Sequence, residues 1–178
     1  LRTEVPYENN FDSILDSLKI LISKLLRGRE TKVIKGIGMA VSGIVDHRQN
    51  EVIHSTNFDI ANRGLAELIN RHTGLPVYME KRPNTAAFAE KTMGSGREFN
   101  EFIYLTTGRG VGAGIITRGQ IFRGSFGGAG EIGKSILFSR EDFLNNTKEA
   151  MLEYRMRETY LASRVEKLKN KALKFPEI

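Results

Sequence analysis

The chain has 178 residues, 40% hydrophobic and 27% charged, a balance that excludes a wholly disordered polymer and leaves room for one domain or two small lobes. Its formal charge of +6 and pI of about 9.6 bring nucleic acid and acidic lipid into consideration as partners. Much of that charge is local. Arg155, Arg157, Arg164, Lys167, Lys169, Lys171 and Lys174 crowd one stretch, with Glu153, Glu158 and Glu166 between them, which reads as a solvated helix face. With no cysteine there is no disulfide framework and no thiolate metal site, so no zinc is expected and the location is expected to be cytoplasmic. No apolar run approaches the roughly 20 residues that span a bilayer, and Leu1-Arg2-Thr3-Glu4 has neither a signal-peptide core nor an initiator Met. A piece of a longer protein, without membrane contact, is the expectation.

In chain order, residues 12–26 carry Ile14, Leu15, Leu18, Leu21, Ile22, Leu25 and Leu26 at helical spacing, with Asn10 or Asp12 as cap and Gly28 as terminator. Residues 32–41 are apolar and β-branched and predict a buried strand. Beyond Ser42-Gly43, residues 44–46 and 51–54 predict a hairpin around His47-Arg48-Gln49-Asn50. A helix over 64–73 stops at Gly74, and 76–80 reads as a strand. Strands alternating with helices indicate an α/β sheet. Residues 84–91 predict a helix, and Gly94-Ser95-Gly96-Arg97-Glu98 a loop and possible lobe boundary. Residues 101–107 and 112–116 predict strands, with Thr117-Arg118-Gly119 turning the second back into 120–122. Residues 124–130 are expected to be irregular, and 141–174 to form one long helix or two shorter ones. No internal repeat is visible.

Three segments can carry chemistry. In Thr106-Thr107-Gly108-Arg109-Gly110-Val111-Gly112-Ala113-Gly114, glycines between two strands let backbone N–H groups converge on an anion, or simply serve a tight hairpin. It is neither a lysine-bearing P-loop nor a dinucleotide fingerprint. In Gly127-Gly128-Ala129-Gly130-Glu131-Ile132-Gly133-Lys134, glycines allow close approach to a ligand and Glu131 can accept hydrogen bonds from vicinal hydroxyls, the alternative being a surface turn. Glu80-Lys81-Arg82-Pro83-Asn84 ends a strand and opens a helix, where open α/β sheets put ligand-binding groups; the alternative is a helix cap by Asn84. His47, His54 and His72 lack metal-ligand spacing, and no Ser-His-Asp set can be assembled.

Taken in order, these segments resemble the ROK family of bacterial sugar kinases and sugar-responsive repressors. Residues 36–46, GIGMAVSGIVD, resemble the family's "GI..PG.VD", Ser55-Thr56-Asn57 its "-PN-" element, and Gly74-Leu75-Pro76-Val77 the entry to its sugar-site strand. Residues 84–90, NTAAFAE, resemble its "NAAALAE" helix, residues 104–123 its second phosphate motif and hairpin, and residues 130–133 its "GEIG" signature. The resemblance covers about residues 11–133. It implies an actin-like, sugar-kinase-like (ribonuclease H-like) α/β fold with two lobes around a cleft, here partial: a first lobe over 1–83 and a second, with a helical C-terminal segment, over 84–178.

The departures shape the expected function. Kinases of the family end the strand before that helix in "END", whose Asp is the general base. The same positions here are Glu80, Lys81 and Arg82, and a guanidinium, which keeps its protons near neutral pH, cannot accept another. The Asp-x-Gly-Gly phosphate loop and the zinc-binding cysteines are missing, Arg109 replaces a small hydroxyl residue, and the "GEIGH" histidine is Lys134. The resemblance makes Gly43, Asn57, Arg82, Glu131 and Lys134 the sugar-binding candidates, with no catalytic residue, and makes Thr107, Gly108, Arg109, Gly110 and Gly112 a vestigial phosphate loop. The glycines Gly127, Gly128 and Gly130 argue for a retained sugar pocket between the strand ending at Arg82 and the loop carrying Glu131, since an abandoned site has no evident need of so costly a loop. Cationic Arg82 and Lys134 would suit an anionic sugar.

The implied function is a non-catalytic sugar-binding domain of a ROK-type transcriptional regulator. Its implied partners are a sugar or sugar derivative, DNA through an upstream domain, and a second copy in a homodimer or higher homo-oligomer. The alternative is an ATP-dependent, Mg²⁺-using hexose kinase fragment, the only reading that calls for ATP and Mg²⁺. A third is a degenerate paralogue that only dimerises.

Overall fold

The computed structural model describes residues 8–55, 57–108, 110–136, 151–156 and 158–169. The chain divides into two compact units, Leu1–Thr85 with Gly124–Gly128, and Ala86–Arg123 with Ala129–Ile178.

The first unit begins with helix α1, Phe11–Leu26, whose start is set by Asn10: its side chain accepts a hydrogen bond from the Ser13 backbone N–H at 2.9 Å. This satisfies one of the donors a helix leaves unpaired at its first turn. Ile14, Leu15 and Ile22 form its buried stripe. Strand β1 is Ile37–Val41, shorter than the 32–41 expected from apolar content. A 3-10 turn occupies Thr31–Val33, and parallel pairing starts only where the partner strand starts, with the Ile37 N–H donating to the Pro76 carbonyl at 2.8 Å. Without such a partner, an apolar run carrying exposed Lys32 and Lys35 has no ladder to join.

Strands β2 (Ile44–Asp46) and β3 (Glu51–His54) form the expected antiparallel hairpin, with an irregularity between Ile44 and Val45. Helix α2, Leu65–Thr73, lies between Gly64 and Gly74, both in the left-handed region. Glu51 Oε1 accepts from the Arg63 and Gly64 N–H groups at 3.1 and 3.2 Å, fixing the chain entering that helix. Strand β4, Val77–Lys81, pairs in parallel with β1 in the register Ile37↔Val77 through Val41↔Lys81. The core beneath joins Leu65 and Ile69 of α2 to Val45 and Val52 of the hairpin and Met79 of β4, with Ile69 and Val52 fully buried.

The outer edge of β4 is closed by one side chain. Asn50, at φ 53, donates through Nδ2 to the Val77 carbonyl at 2.6 Å and accepts from the Met79 N–H at 2.9 Å. An amide thus stands in for a neighbouring strand and removes a sticky edge. Asn also tolerates the left-handed backbone this requires.

Helix α3 is Arg82–Met93, beginning two residues before the expected 84, and β4 correspondingly runs to Lys81. Asn84 does not cap the helix. It lies in the first turn, 1% exposed, and donates through Nδ2 to Glu80 Oε1 at 2.9 Å. The carboxylate one residue upstream of Lys81 supplies the acceptor, and Pro83 fits a first turn, where its missing N–H is not needed.

In the second unit, strands β5 (Phe102–Thr106), β6 (Gly112–Thr117) and β7 (Gln120–Ile121) form an antiparallel sheet in the order β5-β6-β7. The β6–β7 turn holds Arg118 at φ 52, and Glu101 Oε1 accepts its N–H at 2.7 Å. That bond first, and then one to Thr117, keeps the Glu101 carboxyl below its ordinary range. Residues 124–130 are irregular, as expected. Of the expected 141–174 helical stretch, two helices are described, α4 (Leu152–Met156) and α5 (Glu158–Lys169); residues 141–150, 157 and 170–174 lie outside the described residues. No helix among the described residues is long and apolar enough to cross a membrane.

Asn50→Ala is expected to lower unfolding free energy by about 1–3 kcal/mol, because two backbone groups of β4 lose their partner and alanine resists the positive φ. Urea titration checks this, the midpoint falling without a change in slope.

Candidate functional site

Within the first unit, the parallel register sets the site. Val41 pairs with Lys81, so the two strands end side by side, and their next residues, Ser42-Gly43 and Arg82, emerge at the same carboxyl edge. Ser42 and Arg82 together line an open groove of about 360 Å³ whose walls are otherwise mainly apolar, from Ile14, Leu18 and Leu21 of α1 and Met39 of β1. Arg82 is exposed; Lys81 is buried.

Gly43 is required sterically: a Cβ there would run into the His54 carbonyl oxygen. The Ser55 hydroxyl donates to the Ser42 carbonyl at 2.8 Å and accepts from the Phe58 N–H at 3.2 Å, tying the segment that carries exposed Asn57 to the Gly43 turn. Gly43, Asn57 and Arg82 therefore belong to one connected part of the first unit.

Glu80 organises the start of α3. Its Oε1 accepts from the Lys81 N–H at 2.8 Å and from Asn84 Nδ2 at 2.9 Å, while its Oε2 lies 3.2 Å from His47 Nε2. Nothing in the spacing of His47 and Glu80 signals this pair; only the folding of the hairpin along β4 brings them together.

In the second unit, Glu131 precedes a 3-10 turn, Ile132–Lys134, and its Oε2 lies 3.7 Å from Lys134 Nζ. Two of the candidates thus face each other rather than standing apart. Thr107 is exposed, Gly108 adopts φ 143, Gly112 begins β6, and Arg109 lies outside the described residues. The residue missed by the sequence reading is Glu153 on α4, there assigned to a solvated helix face. Its Cβ sits 3.2 Å from where a Cβ on Gly133 would lie, and its Oε1 3.4 Å from where one on Gly110 would lie. A partly buried acidic residue therefore packs beside Gly133 and reaches toward Gly110.

The glycines have a structural explanation. A Cβ on Gly127 would strike the Val45 carbonyl, one on Gly130 the Ala113 carbonyl, and one on Gly133 the Val111 carbonyl; Gly128 alone of the four has open space. The Ala113 N–H donates to the Gly130 carbonyl at 2.8 Å, so residues 130–133 run against the start of β6, backbone to backbone. The fold itself needs Gly127 and Gly130, and their presence is no sign of a retained ligand. This corrects the expectation that an abandoned site would have no use for them.

An α/β chain built from a parallel strand pair and crossing helices, followed by an antiparallel hairpin sheet, has the actin-like, sugar-kinase-like fold, here in part. It superposes on a ROK family glucokinase from Streptomyces griseus, solved in complex with glucose and AMPPNP, with a TM-score of 0.77 at 25% identity, covering 92% of this chain and 51% of that one. The ROK family profile matches residues 2–149, and the chain belongs to that family. It is 34% identical over 137 residues to the xylose repressor of Caldicellulosiruptor bescii, covering 77% of this chain and 34% of that protein. It is 32% identical over 130 residues to the glucokinase of Streptomyces coelicolor, covering 73% of this chain and 40% of that protein. The chain thus spans two fifths or less of the length of these curated relatives.

Gly130→Ala is expected to cost about 3 kcal/mol of stability or more, since it combines a left-handed backbone with a carbonyl clash. Gly128→Ala should stay within about 0.5 kcal/mol of the parent, as befits a site without close neighbours. Paired denaturation curves for the two variants check the contrast.

Proposed function

We propose that this chain is the non-catalytic, sugar-binding effector domain of a ROK-type transcriptional regulator. One observation carries the reading: the first residue of α3, at the shared carboxyl edge of β1 and β4, is Arg82, where the family resemblance calls for the carboxylate that deprotonates the sugar hydroxyl. A guanidinium holds its protons throughout the physiological range, so it can bind and orient an anionic group but cannot act as general base. The relatives include both a repressor and a glucokinase of similar identity, and the arginine is what favours the first role.

In this reading Gly43 and Asn57 of the first unit, and Glu131 of the second, are the groups suited to sugar hydroxyls, Arg82 and Lys134 supply positive charge in their respective units, and Thr107, Gly108, Arg109, Gly110 and Gly112 survive as a phosphate loop without a task. Glu153 joins as a further acceptor. DNA is contacted through an upstream domain, the protein works as a cytoplasmic homo-oligomer, and neither zinc nor ATP with Mg²⁺ is needed. The alternative is an ATP-dependent hexose kinase fragment. Sugar binding acts on DNA affinity through the free-energy coupling of two sites, typically about 1–3 kcal/mol.

The test is fluorescence anisotropy of the full-length protein on DNA fragments flanking its own gene, titrated with xylose, glucose and their acid derivatives. At least one sugar is expected to change DNA affinity by about fivefold or more. DNA affinity that is absent, or unmoved by every sugar, would remove the regulator reading.

A further inference from the structure

The turn between β2 and β3 is anchored along the whole of β4. Asp46 Oδ1 accepts from the Arg48 and Gln49 N–H groups at 2.8 and 3.3 Å and so fixes the turn internally. Asn50 then binds β4 at Val77 and Met79, and His47 reaches Glu80 at 3.2 Å. Glu80 in turn holds the Lys81 N–H and Asn84 Nδ2, the groups on either side of Arg82. A carboxylate at this point also complements the positive end of α3. The hairpin's opposite end carries Gly43 and leads through Ser55 to Asn57.

From this geometry we infer that His47, acting through Glu80, is a positioning residue for Arg82. It sets where the guanidinium stands at the carboxyl edge of the β1–β4 pair, and with it the preference for an anionic sugar. The inference rests on the sugar-sensing reading above. The physical basis is that a flexible, exposed arginine binds well only when the backbone carrying it is fixed, and supporting hydrogen bonds determine how much of its charge is delivered at one point. Glu80 is held by His47 through Oε2 and by the Lys81 N–H and Asn84 Nδ2 through Oε1, so loss of the His47 donor loosens the hold of this carboxylate on the backbone that carries Arg82. His47 itself does not touch the sugar in this account.

The test uses the full-length protein, its His47→Leu variant, which has no donor, and its His47→Gln variant, which keeps an N–H at similar reach. Calorimetric titration with glucose and glucuronic acid measures the preference for the anionic sugar. Backbone hydrogen exchange over residues 81–85 measures the clasp without any sugar. The parent is expected to prefer the acid by about tenfold or more. His47→Leu should reduce that preference to about twofold with glucose affinity unchanged and exchange over 81–85 accelerated; His47→Gln should restore both to within about threefold of the parent. A merely structural role would lower affinity for both sugars alike, and that outcome, or a full preference retained by His47→Leu, overturns the inference. If the parent binds neither sugar, the sugar-sensing reading fails, and exchange then decides the clasp alone: protection lost in the leucine variant and regained in the glutamine variant supports it, and protection unchanged removes it.

Discussion

Parallel pairing of β1 with β4, in the register that sets Val41 beside Lys81, is the constraint on which the rest of the first unit depends. Parallel strands leave the sheet in the same direction, so whatever follows each of them is delivered to one edge. Here that places Ser42-Gly43 and Arg82 as neighbours although about forty residues separate them. The pairing also dictates what the hairpin must do. The free side of β4 presents backbone groups that water or a partner would otherwise occupy, and Asn50 takes them, which draws His47 to Glu80.

The second unit is organised by close backbone approach instead. Residues 130–133 press against residues 111–113 with glycine at the contact points, and Glu153 of α4 packs into the same place. Flexibility is a poor description of these glycines, since each is held where a side chain will not fit. The expectation drawn from them confused a conformational allowance with a functional one. The acidic side chains of this region include Glu131, with Lys134 beside it, and Glu153.

Elements defined by local signals were legible in the sequence. Asn10 with a seven-membered apolar stripe gave α1, and Gly74 before Pro76 separated α2 from β4. The failures share one cause, dependence on partners distant in sequence. The start of β1 is decided by where β4 begins, not by its own apolar content, and α3 starts directly where β4 ends, at Arg82, rather than at Asn84. The His47–Glu80 pair spans 33 positions with no repeat or spacing to announce it, and Glu153 looked like one acid among many in a basic stretch. Family resemblance recovered the order of the site segments, because that order is a property of the whole chain. It did not reveal which glycines serve packing.

The central claim is that an arginine at the edge of β4 leaves a sugar-binding fold without its chemistry. Its most direct test is ATP-dependent phosphorylation of hexoses and xylose by the full-length protein with Mg²⁺ present, followed by coupled ADP release and by ³¹P resonance of the product. The account predicts no sugar phosphate above the enzyme-free background. Sustained turnover with any of these sugars would contradict it.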